Sequence, residues 1–410
     1  MNKSNIIDLF AGCGGLLDGF LQSGFYNSVA SVEWEKAPVD TLRKRLKDKW
    51  GITDVDQSVI RFDMQRFEEL IGGFNDPDYG ENIGLDRIVS GRTIHGIIGG
   101  PPCQAYSLAR RTHNKEQLKT DYKNYLFEYY LKVVEHYQPH FFVFENVPGM
   151  LSAMPDGTPI TDLIKRDVEQ KGYEIIDNLR DFAVFDTSDY GVPQQRNRVI
   201  LIGLNKQYFK DYNRQEILRD FYSNILPTYK VDKKKTVGDA IGDLPGCYPL
   251  QTPLKQGSRK LSHSVPECKI SWQSSRFHSE RDYKIFRMLA EDIESGENKF
   301  SDSNILNQIY NEATGANSHV HKYHVLRPDL PSTTILAHLY KDGLRFIHYD
   351  SKQARSITVR EAARLQSFDD DFEFIGSMGQ AYKMIGNAVP PMFSKVLGKA
   401  IYDFTNKYKI

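Results

Sequence analysis

The sequence contains no apolar run approaching the roughly 18 residues that a membrane-crossing helix needs. Its longest apolar stretches, such as Val199-Ile200-Leu201-Ile202, are strand-sized. Cysteine is scarce. Cys13, Cys103, Cys247 and Cys268 are scattered, and no C-x-x-C pair suggests a zinc site. A disulfide framework is thereby excluded, and an intracellular, reducing compartment is the simplest expectation. Charge of one sign is also lacking, since 53 Lys and Arg face 53 Asp and Glu. Any nucleic-acid surface must then arise from local segregation of charge. There is no internal repeat and no low-complexity tract. Met1-Asn2-Lys3-Ser4 runs straight into a strand, so no signal peptide is expected. These absences exclude a membrane protein, a secreted mini-protein and a binder driven by a basic tail. They leave the reaction open.

What is present suits a soluble globular enzyme: 410 residues, 40% apolar, 26% charged and 12% aromatic. That length predicts two or three domains, or one large domain with an insertion. The first third alternates strand and helix in the manner of a parallel α/β sheet. Asn5 to Phe10 is an apolar run that stops at Ala11-Gly12-Cys13-Gly14-Gly15. Leu16, Leu17, Phe20 and Leu21 then recur at helical spacing, and Gly24 supplies a stop. Further strands are predicted at Ser28–Glu33, Ile94–Ile98, His140–Phe144 and Val199–Leu204. Beyond residue 230, repeated Pro and Gly interrupt regular structure and place a domain boundary there. One clear helix follows, with a capping box at Ser279–Asp282, an apolar face of Phe286, Leu289, Ala290 and Ile293, and a stop at Gly296.

Four segments carry chemistry. A glycine loop between a strand and a helix lets a ligand approach the backbone and the helix N-terminus. Glu33, 21 residues after Gly12, has the spacing of a carboxylate that reaches ribose hydroxyls. G-x-G-x-x-G fails because Leu17 replaces the third glycine, so the loop indicates a nucleoside-type cofactor rather than NAD. Pro101-Pro102-Cys103-Gln104 follows a strand, and two φ-locked prolines hold the thiol at a ligand-binding edge. The loop from Arg110 to Lys123 carries five basic residues against two acidic ones, a setting that favours thiolate. Glu145-Asn146-Val147 lies just beyond an apolar strand, where an acid is partly desolvated and suited to proton donation. Arg196 and Arg198, two apart before the Val199 strand, point to one side of extended chain. A lone cysteine, a capping carboxylate and surface arginines are the plain readings of these residues one at a time.

Together the segments read Asp-Leu-Phe-Ala-Gly-x-Gly-Gly, Pro-Pro-Cys-Gln, Glu-Asn-Val, Gln-x-Arg-x-Arg and Gly-Asn-x-Val-Pro-Pro, in that order. The chain resembles the C5-cytosine DNA methyltransferases of bacterial restriction–modification systems over residues 5–204 and 332–400. The resemblance implies that Cys103 is the nucleophile at cytosine C6 and that Glu145 contacts N3 and the exocyclic amine. Arg198, with Arg196 nearby, would orient the base and the glutamate. S-adenosyl-L-methionine would be the methyl donor and S-adenosyl-L-homocysteine the product. Phe10, Ala11, Gly12, Cys13, Gly15, Glu33 and Trp34 would hold the cofactor, together with Asp63, Met64, Gly100, Pro102, Leu126, Asn387 and Ala388. Cys13 would act there by backbone contact rather than thiol chemistry. The stretch between Asp63 and Ile94 is longer than in a compact member.

Double-stranded DNA is the implied partner, with the target cytosine flipped out of the helix. Gln104, Ser107, Arg110 and Arg111 would lie on DNA, and residues 228–260 add seven basic side chains against three acidic ones. The expected architecture is α/β: a Rossmann-like, mostly parallel methyltransferase sheet with helices on both faces, plus a smaller irregular recognition domain. The catalytic domain would comprise 1–232 and 376–410. Residues 233–375 would form the smaller domain and hinge, with target recognition at about 246–330. A cytoplasmic monomer is expected, with no membrane association, and a cognate restriction endonuclease would act separately. His319, His321 and His324 have no correctly spaced cysteine or acid, so no metal is expected. Asp369-Asp370-Asp371 reads as a solvated turn. Two rivals stay open: a tRNA C5-cytosine methyltransferase and an inactive DNA-binding module.

Overall fold

The computed structural model describes residues 3–102, 126–154, 157–257, 259–319, 322–341 and 343–409. The chain divides into two compact units. The first comprises 1–191, 196–232 and 388–410, and the second 192–195 and 233–387.

The first unit is built on an eight-stranded sheet. Its strands are β1 (Ser4–Leu9), β2 (Tyr26–Glu33), β3 (Val59–Arg61), β6 (Gly96–Gly99), β7 (Phe141–Asn146), β8 (Tyr173–Glu174), β9 (Val184–Asp186) and β10 (Asn197–Asn205). A separate hairpin, β4 (Phe74–Asp76) and β5 (Gly80–Asn82), lies between β3 and β6 in sequence. The sheet order is β3-β2-β1-β6-β7-β10-β8, with β9 also paired to β10. Every pairing from β3 to β7 is parallel, and β10 runs antiparallel to its neighbours. The expected mostly parallel sheet is present. Central strands are largely apolar because they are buried on both faces: Ile6, Ile7, Leu9, Ile97, Ile98, Phe142 and Phe144 are all fully buried.

Strand order reverses direction between β1 and β6. The chain steps outward through β2 and β3 on one side of β1, then returns to β6 and β7 on the other. The carboxyl ends at such a switch point leave a crevice for a ligand. Helix α1 (Gly15–Ser23) follows β1 and ends at Gly24, whose φ of 90° closes the last turn through its N–H to Leu21. Helix α2 (Lys36–Trp50) follows β2. Arg45 of α2 clamps the buried Asp18 of α1 at 2.7 Å, and the Trp50 indole donates to the same carboxylate. The closing helix, Pro391–Lys407, packs on α1 at Gly19.

The second unit has a small core of Phe286, Leu289, Ala290, Tyr323, Val325 and Ile347. Helix Glu280–Ser295 supplies the first three, with the expected capping box at Ser279 and Asp282 and a left-handed Gly296. A hairpin of β11 (Pro249–Gln256) and β12 (Arg259–His263) also belongs here. So does a buried polar cluster in which Arg355 pairs with Glu361 at 2.6 Å.

Two sequence expectations are corrected. The strand expected over Ile94–Ile98 runs Gly96–Gly99. Glu145 and Asn146 stand inside β7 rather than beyond it, because Ile200 and Val199 of β10 pair with them. Asp369-Asp370-Asp371 is an exposed turn, as expected, and Asp370 within it receives both Nε and Nη2 of Arg364.

Candidate active site

At the end of β1 the chain turns sharply. Phe10 and Gly12 take φ values of 57° and 56°, and Gly14 takes 89°. Left-handed backbone suits glycine but is uncommon for phenylalanine. A Cβ at Gly14 would fall 2.4 Å from Leu42 Cδ1, whereas one at Gly12 would meet nothing within 4 Å. The loop thus packs tightly on one side and leaves open space at Gly12. Cys13 is buried, and burial first of all pushes its thiol up to about 12.

Glu33 closes β2 and faces this loop. Its Oε2 accepts the Gly12 N–H at 2.9 Å, and its Oε1 accepts those of Trp34 and Glu35, also at 2.9 Å. Burial raises the carboxyl above its ordinary value, against the three backbone donors. Trp34 is 47% exposed at the same strand end, unusual for so large an apolar ring. Asp63, two residues past β3, accepts the Gln65 N–H at 3.0 Å, and Met64 is buried. Leu126, also buried, begins helix Leu126–Tyr137. Gly15 opens α1 beside Ala11, which is buried.

A residue that sequence reasoning passed over lies beneath the loop. Both carboxyl oxygens of Asp8 are buried without a hydrogen-bond partner, as is Oγ of Ser31, its partner in register on β2. Burial, and after it Glu33, raises the Asp8 carboxyl well above the usual range. The signal was available: one acid inside Ile6-Ile7-Asp8-Leu9.

The second cluster forms at the ends of β6 and β7. Arg198 Nε donates to Glu145 Oε1 at 2.8 Å, and each side chain is 11% exposed. Arg198 also donates to the Asn197 carbonyl. Gly100 lies close beside this pair: a Cβ there would stand 3.0 Å from Glu145 Oε2. Asn146, another missed residue, donates to the Pro101 carbonyl at 3.0 Å and accepts the Val147 N–H at 2.8 Å. It ties the end of β7 to the Pro101-Pro102 turn. Arg196 is buried and donates from Nη2 to the Ala388 carbonyl at 3.0 Å. Burial, then Arg198, pushes its guanidinium down to about 9, still charged at neutral pH.

Cys103, Gln104, Ser107, Arg110, Arg111 and His321 lie outside the described residues. Pro102, half-buried, is the last described residue before Cys103. Asn387 ends helix Met378–Asn387 of the second unit. No described helix is long and apolar enough to cross a membrane.

The sequence matches the profile of the C-5 cytosine-specific DNA methylase family over residues 4–75 and 82–403. It is 32% identical to the type II methyltransferase M.Bpa9945I of Bacillus paralicheniformis, covering 98% of this chain and 99% of that protein. It is 29% identical to the type II methyltransferase M.DdeI of Desulfomicrobium norvegicum, covering 97% and 88%. The fold is shared with the Dnmt2 methyltransferase of S. pombe, at TM-score 0.55 and 14% identity, with both chains covered entirely. With both strand-end clusters inside a profile match that spans nearly its whole length, the chain belongs to the C-5 cytosine-specific DNA methylase family.

Proposed function

We propose that the chain is the modification methyltransferase of a type II restriction–modification system, methylating C5 of a cytosine flipped out of double-stranded DNA. The observation that carries this reading is the buried Glu145–Arg198 pair beside Gly100, which stands three residues before Cys103 in sequence. The type II relatives that match over almost their full length support the biological setting.

The loop's donor set fits a nucleoside cofactor. Open space at Gly12 admits a ligand against the backbone, and Glu33 Oε2 carries one hydrogen bond with capacity for another. Phe10, Gly12, Gly15, Glu33 and Trp34 would hold S-adenosyl-L-methionine, with Asp63, Met64, Leu126, Pro102, Asn387 and Ala388. When bound, the cofactor supplies an electrophilic methyl group.

The chain's own residues make the base reactive. Cytosine C5 is too weak a nucleophile unaided. The Cys103 thiolate adds to C6, and the electron pair displaced from the C5–C6 double bond makes the ring enamine-like. Glu145 delivers a hydrogen bond or proton at N3 as charge develops there. Arg198 fixes the glutamate's orientation, and Arg196, tied to the Ala388 carbonyl, stiffens the approach to β10. After methylation, loss of the C5 proton and expulsion of the thiolate restore aromaticity and free Cys103. Residues 246–330, which hold none of these groups, would select the DNA sequence, and the enzyme would act as a monomer in the cytoplasm. Expression followed by deamination sequencing of host DNA tests the assignment. Protected cytosines confined to one short sequence motif are expected; no protected cytosine would refute it.

A further inference from the structure

The family profile breaks at residues 76–81, the tip of the β4–β5 hairpin. This tip lies outside the profile match, yet it is tied to the carboxyl edge of the sheet. Arg61, the last residue of β3, pairs in register with Glu33 of β2. Its Nε donates to the Trp34 carbonyl at 3.3 Å and its Nη1 to the Asp78 carbonyl at 2.8 Å. One guanidinium therefore bridges the turn that carries Trp34 and the inserted tip. The same guanidinium lies over the Tyr79 ring, 5.3 Å from its centroid.

The next two residues are engaged as well. The Phe62 ring stacks on Phe74 with centroids 3.8 Å apart and meets the edge of Tyr79 at 5.2 Å. Asp63 lies close enough to add to the rise that burial imposes on the Tyr79 phenol. The tip itself is locked. Asp76 accepts the N–H groups of Asp78 and Tyr79 and pairs with Arg66 at 2.6 Å. A tight hairpin held at both ends does not hang free of the sheet. It stands at the carboxyl ends of β2 and β3, the strands that carry Glu33 and lead to Asp63.

We propose that the inserted hairpin is the outer wall of the adenosine end of the cofactor site. Arg61 and Tyr79 are its positioning residues, fixing the separation of Trp34 and Asp63. The proposal rests on the cofactor placement given above. It accounts for residues 76–81, which fall outside the profile match, as a wall on the nucleoside pocket rather than a surface ornament.

The test is calorimetric titration of the full chain with S-adenosyl-L-homocysteine, with Glu33→Ala as a reference. Arg61→Ala and Tyr79→Ala should each raise Kd by about three- to ten-fold, the loss of one or two ordinary contacts. Tyr79→Phe should stay near wild type, because the ring rather than the hydroxyl carries the contacts. Arg61→Lys should recover part of the loss, since an ammonium keeps the charge over the ring but cannot bridge two carbonyls in the same fork. In turnover assays KM for S-adenosyl-L-methionine should rise while kcat at saturation changes less than two-fold. A purely structural hairpin would lower the melting temperature and leave Kd of the folded protein alone. Unchanged Kd in Arg61→Ala and Tyr79→Ala, with binding lost in Glu33→Ala, would overturn the hairpin's role only. Unchanged Kd in all three would overturn the cofactor placement itself. Should Arg61→Ala fold poorly, Tyr79→Ala and its KM decide the matter alone.

Discussion

Glu145 and Arg198 meet across two antiparallel strands, Nε to Oε1 at 2.8 Å. The register explains how. Ile200 of β10 pairs with Glu145 of β7, so Arg198 stands two residues along β10 and its long side chain reaches back to the carboxylate. Burial disfavours the charged guanidinium, and the carboxylate opposes that effect. A neutral partner in either position would leave a buried charge unpaired, which is the costly outcome in such pairs. Arg198 therefore holds the Glu145 carboxyl group in position before any substrate arrives.

Arg198→Ala should lower kcat about 10²–10³-fold, the range for losing one electrostatic stabiliser of a transition state. Arg198→Lys should recover little, because a point charge does not direct a carboxylate as a planar fork does. Steady-state kinetics on a cognate duplex checks this. A kcat within three-fold of wild type for Arg198→Ala would remove the residue from the mechanism.

Gly19→Ala should destabilise the first unit, against the usual gain of an alanine in a helix. Its Cβ would fall 2.3 Å from Ser394 Cβ, 2.4 Å from the Pro391 carbonyl oxygen and 2.7 Å from the Lys395 nitrogen. Two of these atoms are backbone and cannot swing aside, so α1 and the closing helix must separate. A loss of about 1–3 kcal/mol is expected from overpacking, read from the urea midpoint. A midpoint at or above wild type would show that the helices shift freely.

Acid should weaken the second unit, whose buried histidines are held neutral. His263, His278 and His348 are buried there, and burial first, with Arg355 adding to it, holds their imidazoles down at about 4, 3 and 4. Nε2 of His278 accepts the Ser356 N–H and Nδ1 of His348 accepts that of Asp350, so each native ring has a nitrogen that must stay unprotonated. Below the ordinary histidine value near 6.5 the unfolded chain binds protons that the folded one refuses. Stability should therefore fall as pH drops from about 6.5 toward 4, by up to about 1.4 kcal/mol per pH unit for each histidine. Denaturant midpoints at pH 7 and pH 5 check this, and equal values would contradict it.

These features differ in how far the sequence revealed them. Helix Glu280–Ser295 was legible to its ends because its cap, apolar face and stop are all local. Glu145 was placed one strand-end too far out. The apolar run stops at Phe144, and nothing in β7 itself reveals that β10 extends the pairing through Asn146. Asn146 tethering the Pro101 carbonyl links positions 45 residues apart, which no local pattern encodes. The Arg355–Glu361 pair was half-visible, because Thr358 and Glu361 have capping-box spacing and do form the box. The buried arginine beside them had no such sign. Residues 192–195 clustering with the second unit likewise follow from their strand-like contacts to Ser332 rather than from composition.

The nucleophile can be identified chemically. Duplex DNA carrying 5-fluorocytosine at the target should trap the enzyme, and only when S-adenosyl-L-methionine is present. On the proposed mechanism the Cys103 sulfur bonds to C6 and the methyl group arrives at C5. The C5 proton would then leave and the thiolate would be expelled. Fluorine cannot depart as a cation, so the chain should remain as a covalent adduct carrying both methyl and fluorine. Cys103→Ser should abolish the adduct, since a hydroxyl at neutral pH is far less nucleophilic than a thiol with thiolate character. Glu145→Gln should slow its formation by removing acid assistance at N3. Cys13 and Cys247 are buried, and burial raises both thiols, which argues against either as the attacking group. Cys268 is exposed and serves as the internal control for adventitious reaction. Mass spectrometry should place the crosslink on the peptide that contains Cys103. A crosslink at Cys13, Cys247 or Cys268 would overturn the nucleophile, and methyl transfer by Cys103→Ser at the wild-type rate would overturn the covalent mechanism.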